Sequence, residues 1–479
     1  MSTSTGPAQR VARNAALKMA VQATRLLSLA FLVLAARALG PEAFGRFTFA
    51  YALATLLGAA LDLGMHTLLV RGIARAPEMT AEQWRAAVTL KLGLLAPAGF
   101  VLLAFPIASG RPLETTAAVW LLGVAIGLQS FIELAVSVFT AFERLELELG
   151  LRLVEKLCLF GVGMLGLWLG GGLWLVSGAF ALAAVVSLAL GVALVDRRLA
   201  RLGGGLDPAG ARVLFSQLRP VAGAFVLAFA TTRLVPLLVA LLGGDRAAGY
   251  FGAAVRILDV TVVVPVAMVA AVYPVLARLG PADPRFRRIL VRAAEVLLVA
   301  GLGVALGLAY GAEHVTLWAY GDRYGPTAPL LPVLGGAACL GFLNQYLAVV
   351  LLALDRPGRL LAVSAVSFAA SAALTPGLVL TAGAAGGAVA LALVETITLV
   401  GSLVALLPIT GLPFGRGAVR AGAAALGAAL VAEALPPGLG QLAAALLTYG
   451  AAVILLEPVP RALWGELVRG RTRAAVESP

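Results

Sequence analysis

Apolar segments of membrane-spanning length follow one another along almost the whole chain. Hydrophobic residues make up 61% and charged residues 13% of the 479 positions, whereas soluble domains have about 45–50% and about 25%. A helix needs about 20 mostly apolar residues to cross a bilayer. The sequence therefore predicts an all-α polytopic membrane protein with about fourteen transmembrane helices. They lie near 15–37, 46–70, 86–109, 115–140, 152–170, 173–195, 213–241, 250–275, 289–311, 327–353, 359–380, 385–408, 417–435 and 440–457.

Positive charge divides unevenly between the loops on the two sides of this arrangement. With the N-terminus in the cytoplasm and alternating spans, cytoplasmic segments hold 28 of the 36 Lys and Arg residues. Cytoplasmic loops of membrane proteins carry such an excess of Lys and Arg. We therefore expect both termini to be cytoplasmic, and we attribute the net charge of +12 to topology and not to nucleic-acid binding. The predicted outer loops hold five arginines, Arg37, Arg46, Arg111, Arg246 and Arg323.

One local phrase occurs twice. Residues 23–47 read ATRLLSLAFLVLAARALGPEAFGRF, and residues 231–251 read TTRLVPLLVALLGGDRAAGYF. Each has Thr-Arg-Leu at its second to fourth positions. It then continues through an apolar stretch and reaches a Gly-rich connection before the next span. The similarity indicates an internal duplication with the same orientation of both copies in the membrane.

A second pair of matching turns follows the fourth and the tenth apolar segments. The first contains Glu143-Arg144 and the second contains Asp355-Arg356, at a similar offset along the chain. Together the two pairs predict two pseudo-symmetric six-helix lobes followed by two C-terminal helices. The predicted divisions are 1–200 and 201–410 for the lobes, and 411–479 for the extra helices and a cytoplasmic tail.

The repeated phrase places an arginine, Arg25 or Arg233, near the middle of an apolar segment. A charge at mid-depth in a bilayer costs about 3 kcal/mol or more, so it usually faces an interior cavity. Matching charges in two halves indicate a duplicated transporter with a cationic central site. The alternative is a structural ion pair with an acid on another helix, such as Asp62 or Glu133.

The residues of the first 75 positions carry a resemblance to a known family. The Leu-Gly-Pro-Glu-x-Phe-Gly turn at 39–45, Asp62-Leu-Gly and Arg71-x-Ile-Ala-Arg75 are similar to the beginning of the Wzx-type polysaccharide flippases. The segment 317–335, LWAYGDRYGPTAPLLPVLG, resembles that family's Gly-x-x-Tyr region. The family belongs to the multidrug/oligosaccharidyl-lipid/polysaccharide exporter superfamily, with the MurJ-type lipid II flippases and the MATE drug exporters.

The resemblance implies a carrier in the bacterial cytoplasmic (inner) membrane with a cationic cavity between two lobes. It implies that a lipid-pyrophosphate-linked oligosaccharide moves from the inner to the outer leaflet by alternating access, for cell-surface polysaccharide assembly, while its tails stay in membrane lipid. Arg25 and Arg233 would then bind the pyrophosphate, since guanidinium groups bind phosphate oxygens in bidentate fashion. Arg256 is a third candidate, with a helix-surface pair to Asp259 as the alternative.

Polar residues inside other apolar segments are candidates for the cavity wall or for coupling to a proton or sodium ion. A carboxylate in an apolar span can take up a proton, which is why the acids draw attention. The i, i+4 spacing places Asp62 and His66 on one helical face, and Gln129 and Glu133 on another. The alternatives are interhelical hydrogen bonds and, for Glu133, an ion pair with Arg25. The candidates are Asp62, His66, Gln129, Glu133 and Glu395.

Several function classes are disfavoured. No G-x-x-x-x-G-K-[ST] stretch for a nucleotide occurs, which argues against an ATP-driven pump. The predicted outer loops are too short and too poor in charge for a glycosyltransferase, polymerase or ligase, so we expect a transporter and not an enzyme. With two histidines in the chain we predict no metal site and no cofactor. A MurJ-like lipid II flippase and a MATE-like cation-coupled exporter remain as alternatives, although central arginines would repel a cationic substrate.

Overall fold

The computed structural model describes residues 7–457, and in that range the chain is almost entirely helical with no strand. This confirms the predicted all-α class. The predicted cytoplasmic tail with Arg461, Arg469, Arg471 and Arg473 lies outside the described residues. The helices are α1 (Pro7–Ala23), α2 (Arg25–Asp62), α3 (Met65–Arg75), α4 (Thr80–Ala108), α5 (Leu113–Ala141), α6 (Leu145–Trp168), α7 (Leu173–Arg198), α8 (Pro208–Leu242), α9 (Gly244–Thr261), α10 (Val263–Leu279), α11 (Pro284–Tyr320), α12 (Leu331–Ala353), α13 (Pro357–Thr410), α14 (Arg416–Glu433) and α15 (Leu439–Leu456), with 3-10 turns at Pro77–Met79 and Asp322–Leu330.

Ten helical stretches within residues 7–457 are long and apolar enough to cross a membrane. Two of them, Ala16–Arg75 and Pro357–Thr410, each contain two of the predicted segments. Helices α6 and α14 coincide with two further predicted segments. Every stretch of 18 residues within either helix, however, contains three or more charged residues. The predicted total of fourteen transmembrane helices therefore stays a prediction.

Residues in the left-handed region interrupt the longest helices. Gly40 (φ 78°) breaks α2 just before Pro41, and Gly383 (φ 55°) breaks α13. Glycine tolerates positive φ because it has no Cβ. A further break, formed by Leu63 (φ 50°) and Gly64 (φ 79°), ends α2 and starts α3.

The break at residues 63 and 64 corrects one prediction. Asp62 is the last residue of α2, whereas His66 is the second residue of α3. The i, i+4 rule holds only within a continuous helix, so the two side chains do not share one helical face.

One compact unit of the chain comprises Met1–Arg256, Ala319–Tyr324 and Phe368–Gly387. Within it, α5 packs against α2, α3, α4 and α7. Apolar side chains that are almost fully buried form its core, among them Ile132, Leu134, Val138, Phe139 and Leu151.

A second compact unit comprises Ile257–Trp318, Gly325–Ser367 and Ala388–Pro479. Here α14 packs against α15 through small residues, Ala421, Ala424 and Ala428, which let helix backbones approach closely. Tyr449 of α15 donates a hydrogen bond to the Val299 carbonyl of α11 at 2.7 Å. The predicted lobes at 1–200 and 201–410 remain a prediction.

The two repeated acid-arginine turns have the same backbone geometry. Glu143 and Asp355 are both left-handed, with φ of 55° and 54°. In each turn the backbone N–H of the arginine donates to the backbone carbonyl five residues earlier, at 2.8 Å for Arg144 and 3.0 Å for Arg356. Each turn thus ends one helix and starts the next in the same way, which matches the duplication inferred from the sequence.

The Gly-rich connections of the repeated phrase lie against each other in the first unit. A Cβ on Gly45 of α2 would stand 1.6 Å from the Asp245 carbonyl oxygen of α9, and a Cβ on Gly249 would stand 1.8 Å from the Pro41 oxygen. Both glycines are therefore required by close backbone approach. The two copies of the repeated phrase thus form a reciprocal contact, which the phrase by itself did not indicate.

Candidate functional site

Arg25, the first candidate for anion binding, lies at the start of α2 and is exposed. Thr24 precedes it and donates its hydroxyl to the Val21 carbonyl at 2.7 Å, where α1 ends. Within the described residues, the Arg25 guanidinium has no hydrogen bond or ion pair. Arg25 does not form the alternative ion pair with Asp62 or Glu133, because both acids face other cations.

Arg233 and Arg256 each lie over an aromatic ring. The Arg233 guanidinium, half-buried on α8, is 5.3 Å from the ring centre of Phe229, and that of Arg256 on α9 is 4.7 Å from the ring centre of Tyr51. Arg233 has no acidic partner among residues 7–457, and its buried Nε lacks a hydrogen-bond partner there. At Arg233 the aromatic face holds the guanidinium through cation–π attraction and leaves N–H groups available to an anion.

Asp62 faces a buried lysine at the end of α2. Lys91 of α4 is fully buried, and its Nζ lies 2.8 Å from the Leu61 carbonyl oxygen and 3.8 Å from Asp62 Oδ1. The helix break after Asp62 leaves the Leu61 carbonyl without an intrahelical donor, and the ammonium supplies one. Because the Asp62 side chain is 47% exposed, it also remains open to water or to a ligand.

Glu133 belongs to a chain of charges between α5 and α6. Arg152 Nη2 donates to Glu133 Oε1 at 2.5 Å, and Gln129 Nε2 donates to the same oxygen at 3.2 Å, as their i, i+4 spacing predicts. Arg152 also pairs with Glu155 at 3.2 Å, which in turn binds Lys156 at 2.5 Å. The two acids and two bases balance, so Glu133 is already neutralised within the protein.

His66 lies on α3 and faces α5. Its Nδ1 is 2.8 Å from Ser137 Oγ, while Ser137 Oγ donates to the Glu133 carbonyl at 2.7 Å. A hydroxyl has one proton to donate, so His66 donates from Nδ1 in this arrangement. His66 thus bridges α3 to the helix that carries Glu133.

Glu395, on α13 in the second unit, faces an amide and no cation among the described residues. Asn344 of α12 donates from Nδ2 to Glu395 Oε2 at 2.7 Å and to the Glu395 carbonyl at 2.8 Å. The Asn344 Oδ1 is buried and has no partner in the described range. Among the acids predicted for coupling, Glu395 is the one held by a neutral partner.

A cluster of charges joins the end of α8 and the start of α9 to α2, to α5 and to the loop between α4 and α5. Asp245 accepts from Arg46 Nε at 3.1 Å and from Arg111 Nη1. Arg111 Nη2 also donates to the Ala240 carbonyl at 2.6 Å, and Arg46 pairs with Glu114 at 3.2 Å. Arg46 and Arg111 were both predicted in outer loops, and here one aspartate binds them.

Three basic residues that were counted with the cytoplasmic segments, Lys91, Arg152 and Lys156, lie within helices and pair with acids. Their side of the membrane stays a prediction. The sequence already indicates a paired lysine here, because Lys91 lies inside the predicted span 86–109. An apolar segment that contains a lysine requires an internal partner for that lysine.

Among residues 7–457, no three His, Cys, Asp or Glu side chains are placed to hold a metal ion.

Comparison with known proteins identifies both a family and a fold. The model of the family described as "Polysaccharide biosynthesis protein" matches residues 11–280, which include α2 to α10 and thus Arg25, Arg233 and the acids of the first unit. No curated protein matches the sequence.

Solved transporter structures share the fold at low sequence identity. The lipid II flippase MurJ in an inward closed conformation has a TM-score of 0.72 and 12% identity, over 95% of this chain and 99% of that one. An inward-facing MATE-family multidrug transporter of the MOP superfamily has a TM-score of 0.65 and 14% identity, over 81% and 94% of the chains. A MOP-superfamily transporter from Pyrococcus furiosus, reported with a binding pocket of reverse polarity, has 0.59 and 15%, over 85% and 96%.

These matches establish that the chain has the fold of the MurJ and MATE transporters. Its described part, residues 7–457, contains ten apolar helical stretches of spanning length. The chain is a multi-pass membrane protein. Because the family model covers more than half of its length, it belongs to the polysaccharide biosynthesis protein family.

Proposed function

We propose that this protein is a flippase that moves an anionic, lipid-pyrophosphate-linked oligosaccharide from the inner to the outer leaflet of the bacterial cytoplasmic membrane. It acts by alternating access, as a carrier and not an enzyme, and serves cell-surface polysaccharide assembly. Family membership and the transporter fold support this proposal.

The observation that carries the proposal is that Arg25 and Arg233 have no acidic partner among residues 7–457. The acids that were candidates to neutralise them, Asp62 and Glu133, face Lys91 and Arg152 instead. The two arginines of the repeated phrase are thus left without acidic partners in the described part of the chain. Unpaired guanidinium groups in membrane helices favour an anionic ligand. Arg256, held over Tyr51, is a third cation for the same substrate.

Coupling to a proton or sodium ion is assigned to Glu395 in this proposal. Asp62, Gln129, His66 and Glu133 serve instead as polar wall and helix-to-helix links, because Glu133 and Asp62 have cationic partners. Glu395 has the neutral amide of Asn344. A carboxyl with a neutral partner can gain or lose a proton without breaking an ion pair.

Transporters of two other classes of substrate share this fold. Lipid II also carries a pyrophosphate, so a MurJ-like activity would use the same arginines. A MATE-like exporter of cations is less compatible with unpaired guanidinium groups, although the Pyrococcus furiosus relative indicates that pocket polarity differs among such transporters.

The test is complementation of a flippase-deficient strain with Arg25→Ala, Arg233→Ala and the corresponding lysine variants. Surface glycan and membrane protein level are measured together, with the exposed Arg246→Ala as the matched control. We expect the alanine variants to abolish export at normal protein level, the lysine variants to restore part of it, and Arg246→Ala to export normally.

Normal export by both alanine variants would refute the pyrophosphate role. Lysis on depletion of the protein, with surface glycan unchanged, would favour lipid II as the substrate. Efflux of cationic dyes that survives in Arg25→Ala would favour the exporter.

A further inference from the structure

A basic pocket lies in the second unit, whereas the residues proposed for the transport substrate, Arg25, Arg233 and Arg256, belong to the first. It has a volume of about 550 Å³ and is lined by the first turns of α11, the start of α14 and the residue after α15. Two acids, Glu295 and Glu457, line it together with five arginines, so positive charge predominates. The arginines are Arg287, Arg288, Arg292, Arg416 and Arg420.

Three of these arginines are available for a ligand. Arg292 pairs with Glu295 at 2.9 Å, and Arg420 donates to the Leu456 carbonyl at 3.2 Å. In the described part of the chain, Arg287, Arg288 and Arg416 have no hydrogen bond or ion pair, and all three are exposed. Like charges gathered around one cavity repel each other, and an anion in the cavity would relieve that repulsion.

Glu295 fixes the wall of the basic pocket. Its side chain is 1% exposed and accepts from the Gly417 N–H at 3.0 Å as well as from Arg292. A Cβ on Gly415 would lie 2.9 Å from Glu295 Oε1, so the start of α14 is held tightly against α11. The pocket is thus a built feature between packed helices and not a groove among loose side chains.

The pocket lies at the ends of apolar helices. The spanning stretches Pro284–Tyr320 and Leu439–Leu456 begin and end beside it. Exposed apolar side chains lie close in the chain to its lining residues, with Val419 beside Arg420 at 75% and Leu455 two residues before Glu457 at 80% exposure. Charge and exposed apolar surface thus occur together at these helix ends, as at the boundary between lipid headgroups and acyl chains.

We propose that this basic pocket is an anion site for a phosphate group, supplied by an anionic phospholipid headgroup or by phosphate in solution. Arg287, Arg288 and Arg416 contact the phosphate oxygens, since guanidinium N–H groups match their geometry. This inference is independent of the pyrophosphate role of Arg25 and Arg233.

The test measures the thermal unfolding temperature of the purified full chain in detergent with three probes. They are dihexanoyl phosphatidylglycerol, dihexanoyl phosphatidylcholine and inorganic phosphate. A ligand that binds the folded state raises this temperature. We expect phosphatidylglycerol to raise it and phosphatidylcholine to have no effect. An equal rise with inorganic phosphate assigns the soluble source, and a rise with phosphatidylglycerol alone assigns the headgroup.

Two triple variants with the same change in charge identify the site. The variant Arg287→Gln/Arg288→Gln/Arg416→Gln removes the proposed contacts, and we expect its apparent affinity to fall at least about tenfold. The control removes three arginines outside the pocket, at positions 197, 198 and 285. Hydrogen bonds from Arg285 hold the pKa of the Asp283 carboxyl below its ordinary value, so that arginine already has a partner. We expect the control to keep its affinity within about twofold.

Three results would overturn the proposal. They are a wild-type unfolding temperature that neither anion raises, an undiminished response in the pocket variant, and equal losses in both triple variants. If the pocket variant does not fold, the single variants Arg287→Gln and Arg416→Gln replace it. Each is expected to lose about threefold in affinity, and no loss in either would equally refute the site.

Discussion

Gly45 of α2 lies against the backbone carbonyl of Asp245 on α9, and Gly249 of α9 lies against the carbonyl of Pro41 on α2. Pro41 and Asp245 each stand four residues before the glycine of their own segment. Each copy of the repeated phrase thus places its glycine on the equivalent carbonyl of the other copy. This is the reciprocal pattern of a two-fold contact, formed here within one chain.

A methyl group at either glycine cannot be accommodated without moving a backbone. We expect Gly45→Ala and Gly249→Ala each to lower the free energy of unfolding by ~1–3 kcal/mol, as overpacking does elsewhere. The measurement is unfolding by SDS in mixed micelles. Gly93→Ala in α4 is the control, because a Cβ there meets nothing within 4 Å, and we expect no loss. A similar loss at all three positions would show that the close contact is not the cause.

Asp245 of α9 binds Arg46 of α2 and Arg111 of the α4–α5 loop, and a double-mutant cycle measures the energy of the second pair. We expect Arg111→Gln and Asp245→Asn to couple by ~0.5–3 kcal/mol, because both side chains are largely buried, at 15% and 19% exposure. The same cycle on Arg46 and Glu42 is the control. Glu42 is 58% exposed, and exposed i, i+4 pairs contribute ~0.3–0.5 kcal/mol. Equal coupling in the two cycles would contradict the assignment.

We expect Lys91 to contribute more to the free energy of unfolding than Asp62, the acid that it faces. Lys91→Met leaves the buried Leu61 carbonyl without a donor, and an unsatisfied buried polar group costs ~1–3 kcal/mol. Asp62→Asn keeps that bond, and the Asp62 side chain is partly in solvent. We therefore expect the methionine variant to unfold at lower SDS than the asparagine variant. The reverse order would mean that the ion pair, and not the capped carbonyl, stabilises the break.

Glu395→Gln tests coupling without removing the hydrogen bond from Asn344, since an amide oxygen also accepts. We expect export to lose its dependence on the proton gradient, or to stop, while the protein folds normally. Transport into vesicles with and without an imposed pH gradient provides the measurement. Glu313→Gln, at an exposed position of α11, is the matched control. Gradient-dependent transport by Glu395→Gln would exclude this carboxyl as the coupling group.

Hydropathy and repetition in the sequence were sufficient to predict the all-helical membrane class and the likeness between the turns at Glu143 and Asp355. Both are local properties. An apolar run of sufficient length must form helix in a bilayer, because no water satisfies its backbone. The matched φ values of the two turns follow from short-range hydrogen bonds that similar local sequences repeat.

The partners of the charged side chains were decided by tertiary structure alone. Asp62 and His66 were placed on one face by a periodicity that the break at Gly64 cancels. Glu133 was a possible partner of Arg25, and the packing of α5 on α6 gives it Arg152 instead. Sequence spacing specifies direction around one continuous helix, whereas an ion pair depends on which helices meet and at what depth. Those are properties of the packed chain.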